Sequence, residues 1–295
     1  MRTLGGVIPA ITTPFDAAGE IDDGKFRRQI HFMLGKGVHG LCFAGSTGEG
    51  HTLDIDEFRR LTQITVEETQ GRVPVVAGII ANSTRDAIQR GRAIADLAVD
   101  ALQITPVHYV FTPDDESNLQ HFKTICDALQ RPVLLYNVVP GNLLSTPLVL
   151  RLLNEVPLVV GIKQSQGHIT RVAELVANAP KDKVILAAVD NLLYSCFSFG
   201  AHGTLAASPT GVPGPIVRLW DAVKAGDHAK AHEIHRALLR FWNVIVGDNL
   251  PANVKTALAL QGVATGSPRA PMPASSPAQQ AAIRRELDNV LRFDS

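Results

Sequence analysis

Cysteine is scarce in this 295-residue chain: Cys42, Cys126 and Cys196 lie far apart, odd in number and with no metal-type spacing. That pattern speaks against a disulfide framework and makes a reducing cytoplasm the expected setting. Net charge is missing as well, with 28 Lys and Arg against 28 Asp and Glu. No basic face is implied, so nucleic acid is not an expected partner, and nothing electrostatic opposes self-association. No apolar run approaches the roughly 20 residues of a membrane helix. The opening Met1-Arg2-Thr3-Leu4-Gly5-Gly6 lacks the apolar core of a signal peptide. A membrane is therefore not an expected partner either. No Gly-x-Gly-x-x-Gly follows the first apolar run, which weakens a nucleotide-binding reading.

What the chain does contain is ordinary globular material, 45% hydrophobic and 19% charged, at a length that suits one large core. Eight short runs rich in Val, Ile, Leu and Ala recur at 7–11, 40–44, 75–80, 101–105, 133–136, 159–163, 184–189 and 203–207. They do not alternate with polar residues, as suits strands buried on both faces of a parallel sheet. Segments of helical period separate them. Residues 54–70 place Phe58, Leu61, Ile64 and Thr65 on one face, and 83–97 open with Ser83 as N-cap. Residues 113–129 begin with Pro and three acids, which suit a helix N-terminus by fixed φ and by dipole. Residues 146–154 begin with Thr146 as N-cap and Pro147 at the first position. Near-equal strand–helix units predict an α/β fold, a (β/α)8 TIM barrel. After residue 225 the pattern changes to helices at 227–246 and 251–261, a Pro- and Ser-rich linker at 265–277, and a last helix at 277–292. The expected organisation is a barrel over 1–225 carrying a C-terminal helical appendix over 226–295, with too few large apolar residues for a core of its own.

In such a barrel the C-terminal ends of the strands build the active site. The sixth run closes on Lys163, whose Val and Ile neighbours would desolvate its amine and favour the uncharged nucleophile needed to form an imine with a ketone. The alternative is a lysine that reaches solvent or pairs with a carboxylate. The fifth run ends Tyr136-Asn137, where the phenol can relay protons at the same mouth or be a core aromatic with a satisfied hydroxyl. The second run leads into Ala44-Gly45-Ser46-Thr47-Gly48-Glu49-Gly50. Its N–H groups and hydroxyls can hold a carboxylate, or it is a plain tight turn. It lacks the Gly-Lys-Ser/Thr of a phosphate loop. After the fourth run, Val107-His108-Tyr109-Val110-Phe111 is apolar and aromatic where solvated residues belong. Burial against another subunit would explain that; His108 within it reads as surface or structural.

Taken in order at these strand ends, Gly45-Ser46-Thr47-Gly48-Glu49, Tyr136-Asn137 and Gly161-Ile162-Lys163 resemble the dihydrodipicolinate synthase / N-acetylneuraminate lyase family of Schiff-base-forming class I aldolases and lyases. The likeness runs from Gly6-Val7-Ile8-Pro9 to Gly266-Ser267-Pro268-Arg269. It implies that Lys163 forms an imine with pyruvate or a pyruvate-like 2-oxo acid and that Tyr136 shuttles protons. Ser46 and Thr47, with Gly45, would bind the acid's carboxylate. Thr47 would also link Tyr136 to a second tyrosine from a neighbouring subunit, for which Tyr109 is the candidate. Asn142 and Leu205 complete the expected substrate-binding set. The resemblance further implies a homotetramer, a dimer of dimers, with no metal or organic cofactor.

Two departures bear on the substrate. Synthases of the family carry an arginine soon after Tyr-Asn-Val-Pro, and it holds the carboxylate of aspartate semialdehyde. Here the text is Tyr136-Asn137-Val138-Val139-Pro140-Gly141-Asn142, and asparagine cannot supply a charged, two-pronged grip. Gly167-His168 likewise replaces the usual Gly-Asp near the acids that contact the sugar in sialic acid lyases. The expected activity is a lyase or aldolase acting on pyruvate with a less polar second substrate. A dehydratase or cyclic-imine deaminase using the same imine, and a non-catalytic carboxylate-binding barrel, are the alternatives; a true 4-hydroxy-tetrahydrodipicolinate synthase fits less well.

Overall fold

The computed structural model describes residues 2–165 and 169–294. Eight strands, β1 (Gly6–Pro9), β2 (Leu41–Phe43), β3 (Val75–Ile79), β4 (Ala101–Ile104), β5 (Val133–Asn137), β6 (Val159–Gln164), β7 (Val184–Ala187) and β8 (Gly203–Ala206), pair in parallel in the order β1-β8-β7-β6-β5-β4-β3-β2. The ends of that order meet: Ala10 bridges Cys42, and the Ile11 N–H donates to the Cys42 carbonyl at 2.8 Å. The sheet thereby curls into a (β/α)8 barrel. Around it run α1 (Asp23–Gly35), α2 (Ile55–Thr69), α3 (Thr84–Ala93), α4 (Asp115–Leu129), α5 (Thr146–Glu155), α6 (Ile169–Asn178), α7 (Leu193–Ser198), α8 (Ser208–Gly211) and α9 (Pro213–Lys224). Three further helices follow without strands: α10 (His228–Ile245), α11 (Leu250–Leu260) and α12 (Pro277–Leu291).

Local chemistry sets the helix starts, sometimes one or two residues away from the expected one. Asp54 and Glu57 form a reciprocal capping box at α2, and Ser83 caps α3. At α4 the cap is Asp114, whose carboxylate accepts from Ser117 N–H, so Pro113 stands outside the helix. At α5 the cap is Ser145 rather than Thr146, because the Ser145 hydroxyl accepts from Leu148 N–H; Pro147 then falls in the first turn, where no donor is missed. Helix α3 stops at Ala93, short of the expected 97. Ile94 leaves the helical region at φ −120°, and its N–H turns back to the Gly91 carbonyl.

Two apolar layers hold the architecture. Ile8, Ala10, Cys42, Val76, Leu134, Leu186 and Leu205 fill the barrel interior. A larger layer lies between strands and helices and continues without a break into Phe241, Leu258, Ile283 and Leu287 of the last three helices. Among the described residues, no helix is long and apolar enough to cross a membrane.

Strands β5 and β6 slip register between Val133 and Leu134, after which Tyr136 stands opposite Lys163. Gly161 sits just past the slip, where an added Cβ would lie 2.2 Å from the Val184 carbonyl oxygen. Only a glycine lets β7 approach that closely. Gly161→Ala should therefore destabilise the fold by about 1–3 kcal/mol, seen as a lower denaturant midpoint; an unchanged midpoint would contradict the close-approach argument.

His121 of α4 is 8% exposed, with the Thr84 hydroxyl 2.9 Å from Nδ1. Burial pushes its imidazole down from the ordinary 6.5 to about 4, with the neighbouring Thr105 backbone opposing. Between those values the unfolded chain takes up a proton that the folded protein refuses. The stabilising contribution is thus complete above pH 6.5 and fades as pH falls toward 4, by about 3 kcal/mol in all. His121→Gln should flatten the pH dependence of urea unfolding across that window, and equal slopes in the two proteins would refute the assignment.

Candidate active site

Strand alternation decides which side chains enter the barrel. Leu134 and Leu186 belong to the interior packing. Tyr136 lies two residues beyond Leu134, and Lys163 is in register with both Tyr136 and Leu186, so both face inward at the C-terminal ends of β5 and β6. Lys163 is 4% exposed and Tyr136 3%. The Lys163 amine lies 4.0 Å from the centroid of the Tyr136 ring, and the Tyr136 hydroxyl lies 3.0 Å from the Ser46 hydroxyl. Amine, phenol and serine from three strand ends thus form one contiguous group. Asp190, just past β7, is in electrostatic range of that amine. Burial pushes its carboxyl up, while the Ser208 N–H, which donates to Oδ1 at 2.8 Å, and the charge of Lys163 pull it back.

The turn after β2 is tightly determined. Gly50 N–H donates to the Gly45 carbonyl at 3.0 Å, and Glu49 N–H to the Ser46 carbonyl at 3.1 Å. The Thr13 hydroxyl donates to the Gly48 carbonyl at 2.6 Å. Residue 50 must be glycine, because a Cβ there would lie 1.8 Å from the Ala44 carbonyl oxygen. Thr47 is nearly buried, whereas Ser46 is exposed. Glu49 is fully buried with φ +54°, the left-handed region. One carboxylate oxygen accepts from the Lys255 ammonium at 2.6 Å and the other from Arg269 N–H at 2.8 Å. Lys255 is 2% exposed; burial pushes its ammonium down, and the Glu49 charge holds it up.

A cavity of about 580 Å³ opens on Ser46 and is walled by Ile80, Asn82, Thr105, Tyr109, Val138, Val139 and the Asp86–Arg90 pair, among others. Lys163 and Tyr136 do not line it; Ser46 joins the cavity to the buried pair. The Thr105 hydroxyl on its wall has no partner among the described residues. Another cavity, about 590 Å³, lies beyond Glu49 against residues 269–274. None of Ser46, Tyr136 and Lys163 lines it, whereas Ser46 lines the former. Among the described residues, no group of three or more His, Cys, Asp or Glu is placed to hold a metal ion.

The remaining sequence-derived candidates fall in different places. Tyr109 lines the cavity rim but is 69% exposed, beside Val110 at 86% and Phe111 at 61%. Among the described residues, no hydrogen bond joins Thr47 to either tyrosine; Ser46 is the partner of Tyr136. Gly45 is buried in the turn. Asn142 does not line the cavity. Its Nδ2 donates to the Val107 carbonyl at 2.6 Å and to Asn118 Oδ1 at 3.1 Å, while its Oδ1 accepts from Asn118 at 3.1 Å. With both ends of the amide engaged, Asn142 ties the loop after β5 to the Val107 carbonyl and to Asn118 of α4. Leu205 is fully buried in the interior packing. His108 is exposed, and Gly167-His168 lie outside the described residues. Sequence reasoning did not single out Asp190, Lys255 or Arg269. A polar residue just past a buried strand marks Asp190, but nothing local marks Lys255, whose partner lies 206 residues away.

Comparison with known proteins identifies the family. A family model described as the dihydrodipicolinate synthetase family matches residues 3–290. A protein of Methanopyrus kandleri named 4-hydroxy-tetrahydrodipicolinate synthase is 34% identical over 287 residues, 96% of this chain and 95% of that one. A Bacillus subtilis protein of the same name is 34% identical over 272 residues, 91% of this chain and 93% of that one. The crystal structure of a dihydrodipicolinate synthase from Bacillus anthracis superposes with a TM-score of 0.92 at 28% identity, covering 98% of this chain and 99% of that one. The match spans almost every residue in both sequence and fold, and the chain therefore belongs to the dihydrodipicolinate synthase family of aldolase-type lyases.

Proposed function

We propose that Lys163 forms an imine with pyruvate or a pyruvate-like 2-oxo acid, and that the protein makes or breaks a carbon–carbon bond next to the imine carbon. The observation that carries this reading is the buried amine 4.0 Å from the Tyr136 ring centre, at the mouth of the barrel. The amine adds to the 2-oxo carbon to give a carbinolamine, and loss of water then leaves the iminium. That iminium draws electrons from the neighbouring carbon, so a proton or an aldehyde can leave there, or the resulting enamine can attack an aldehyde. Each step moves a proton, and the Tyr136 hydroxyl, hydrogen-bonded to Ser46, is the group at hand to give and take it. Ser46 and Thr47 hold the carboxylate of the 2-oxo acid, and Leu205 supplies part of the apolar floor. The second substrate meets Val138 and Val139, and where the family's synthases place an arginine this chain has Asn142, engaged with Asn118 and Val107. A less polar aldehyde than aspartate semialdehyde suits that wall.

The exposed Tyr109-Val110-Phe111 segment supports assembly between copies, in a homotetramer that carries Tyr109 to a neighbouring site. Three buried, free cysteines support a cytoplasmic setting. The shared apolar layer supports treating 226–295 as part of the same unit as the barrel.

Incubation with pyruvate and borohydride should add a fixed mass to Lys163, located by peptide mass spectrometry and absent in Lys163→Ala. A wild-type protein left unlabelled at that residue would sink the reading. Tyr136→Phe should lower kcat by about 10²–10⁴-fold, the usual contribution of a positioned proton donor, while leaving the label at saturating pyruvate. A kcat equal to wild type would remove Tyr136 from the chemistry.

A further inference from the structure

We propose that Lys255, on α11, is a positioning residue for the carboxylate-binding turn and acts through Glu49; this rests on the assignment of Ser46 and Thr47 to the carboxylate of the 2-oxo acid. Glu49 follows Thr47 by two residues. Its backbone is twisted into the left-handed region at φ +54°, and its side chain is fully buried. The two carboxylate oxygens have separate donors, Lys255 Nζ at 2.6 Å and Arg269 N–H at 2.8 Å, so both the position and the rotation of the group are fixed. Lys255 is itself held, donating to the Ser267 carbonyl at 3.0 Å with its ammonium 4.7 Å from the Phe15 ring centre. Both ends of the ion pair are dry, Glu49 at 0% and Lys255 at 2% exposure.

A buried pair of this kind is a poor way to add stability, since desolvating two charges roughly cancels their attraction. It is a good way to impose direction, because each bond constrains an angle as well as a distance. The constrained object is the turn that carries Ser46 and Thr47. Its other ties are short-range bonds within the turn and to Thr52, one bond from Thr13, the Ser46–Tyr136 contact and the Arg269 N–H on Glu49. Of the two links that reach Glu49 from more than 200 residues away, the Arg269 amide is a backbone group and Lys255 supplies the charged side chain, 206 residues on. The ion pair thus determines how well the turn meets the carboxylate, while the amine that forms the imine is untouched.

The test is a pyruvate titration of borohydride trapping on Lys163, in the wild type, Lys255→Met, and the double variant Lys255→Met with Glu49→Gln. The double variant leaves no unpaired buried charge and so guards against misfolding of the single one. Both variants should need about tenfold more pyruvate for half-maximal labelling, as expected when a binding group loses its support, and should reach the same final extent at saturation. A purely structural role would lower the extent, not shift the midpoint. A midpoint within about twofold of wild type in either folded variant overturns the proposal and leaves the imine reading intact. A wild type that is never labelled overturns both. Hydrogen exchange on the unaltered protein provides a second readout: pyruvate should slow exchange of the segment containing the Arg269 amide, and an unchanged rate counts against the link whether or not the variants fold.

Discussion

Everything at the barrel mouth depends on one register. Parallel strands β5 and β6 are locked so that residue 136 stands beside residue 163, and inward alternation then brings a phenol ring against an amine. The lock is steric as much as hydrogen-bonded: the bare Cα of Gly161 allows β7 to close in, and the slip at Val133 absorbs the mismatch. A slip of one residue in either strand would turn one partner out of the barrel. The imine chemistry proposed here is thus a property of strand pairing before it is a property of any side chain.

Around that fixed pair the structure places parts of graded rigidity. The turn after β2 is tied by hydrogen bonds at Gly48, Glu49 and Gly50. The loop after β5 is clamped at both ends. Asn137 receives Leu144 N–H at 2.9 Å and donates to the Leu144 carbonyl at 3.0 Å, while Asn142 binds across to Val107 and Asn118. The segment carrying Tyr109 is different. It exposes three large apolar side chains in succession, with Val110 at φ +74°, a conformation that a β-branched residue adopts only under constraint. Rigid floor and turn, clamped wall and open rim are the arrangement expected when one half of a reaction is invariant and the other varies.

Much of this was legible in the sequence, and the reasons differ by element. Strands buried on both faces leave uninterrupted apolar runs, so all eight were visible. Their C-terminal polar residues then pointed to Lys163, Tyr136 and Ser46. Where the sequence singled out a helix, its start was legible to within two residues, because adjacent candidates such as Ser145 and Thr146 both make good caps and only the hydrogen bond to Leu148 separates them. What stayed hidden was set by partners distant in the chain. Asn142 looked like a substitute for a missing arginine because sequence shows what a residue replaces but not what it holds. Lys255 looked like one more residue of an appended helix, and Glu49 like the tail of a motif, until folding placed them 2.6 Å apart.

That last contact has a consequence for the order in which the protein comes into being. Ser46, Tyr136 and Lys163 all precede Lys255 in the chain, so strands β1 to β6 are made before it. The groups that finish the turn, Lys255 and the Arg269 amide, follow Glu49 by 206 and 220 residues. A nascent chain therefore carries Lys163 before it carries the groups that hold the Glu49 carboxylate, and the turn takes its final form only once α11 and the segment of Arg269 have been made.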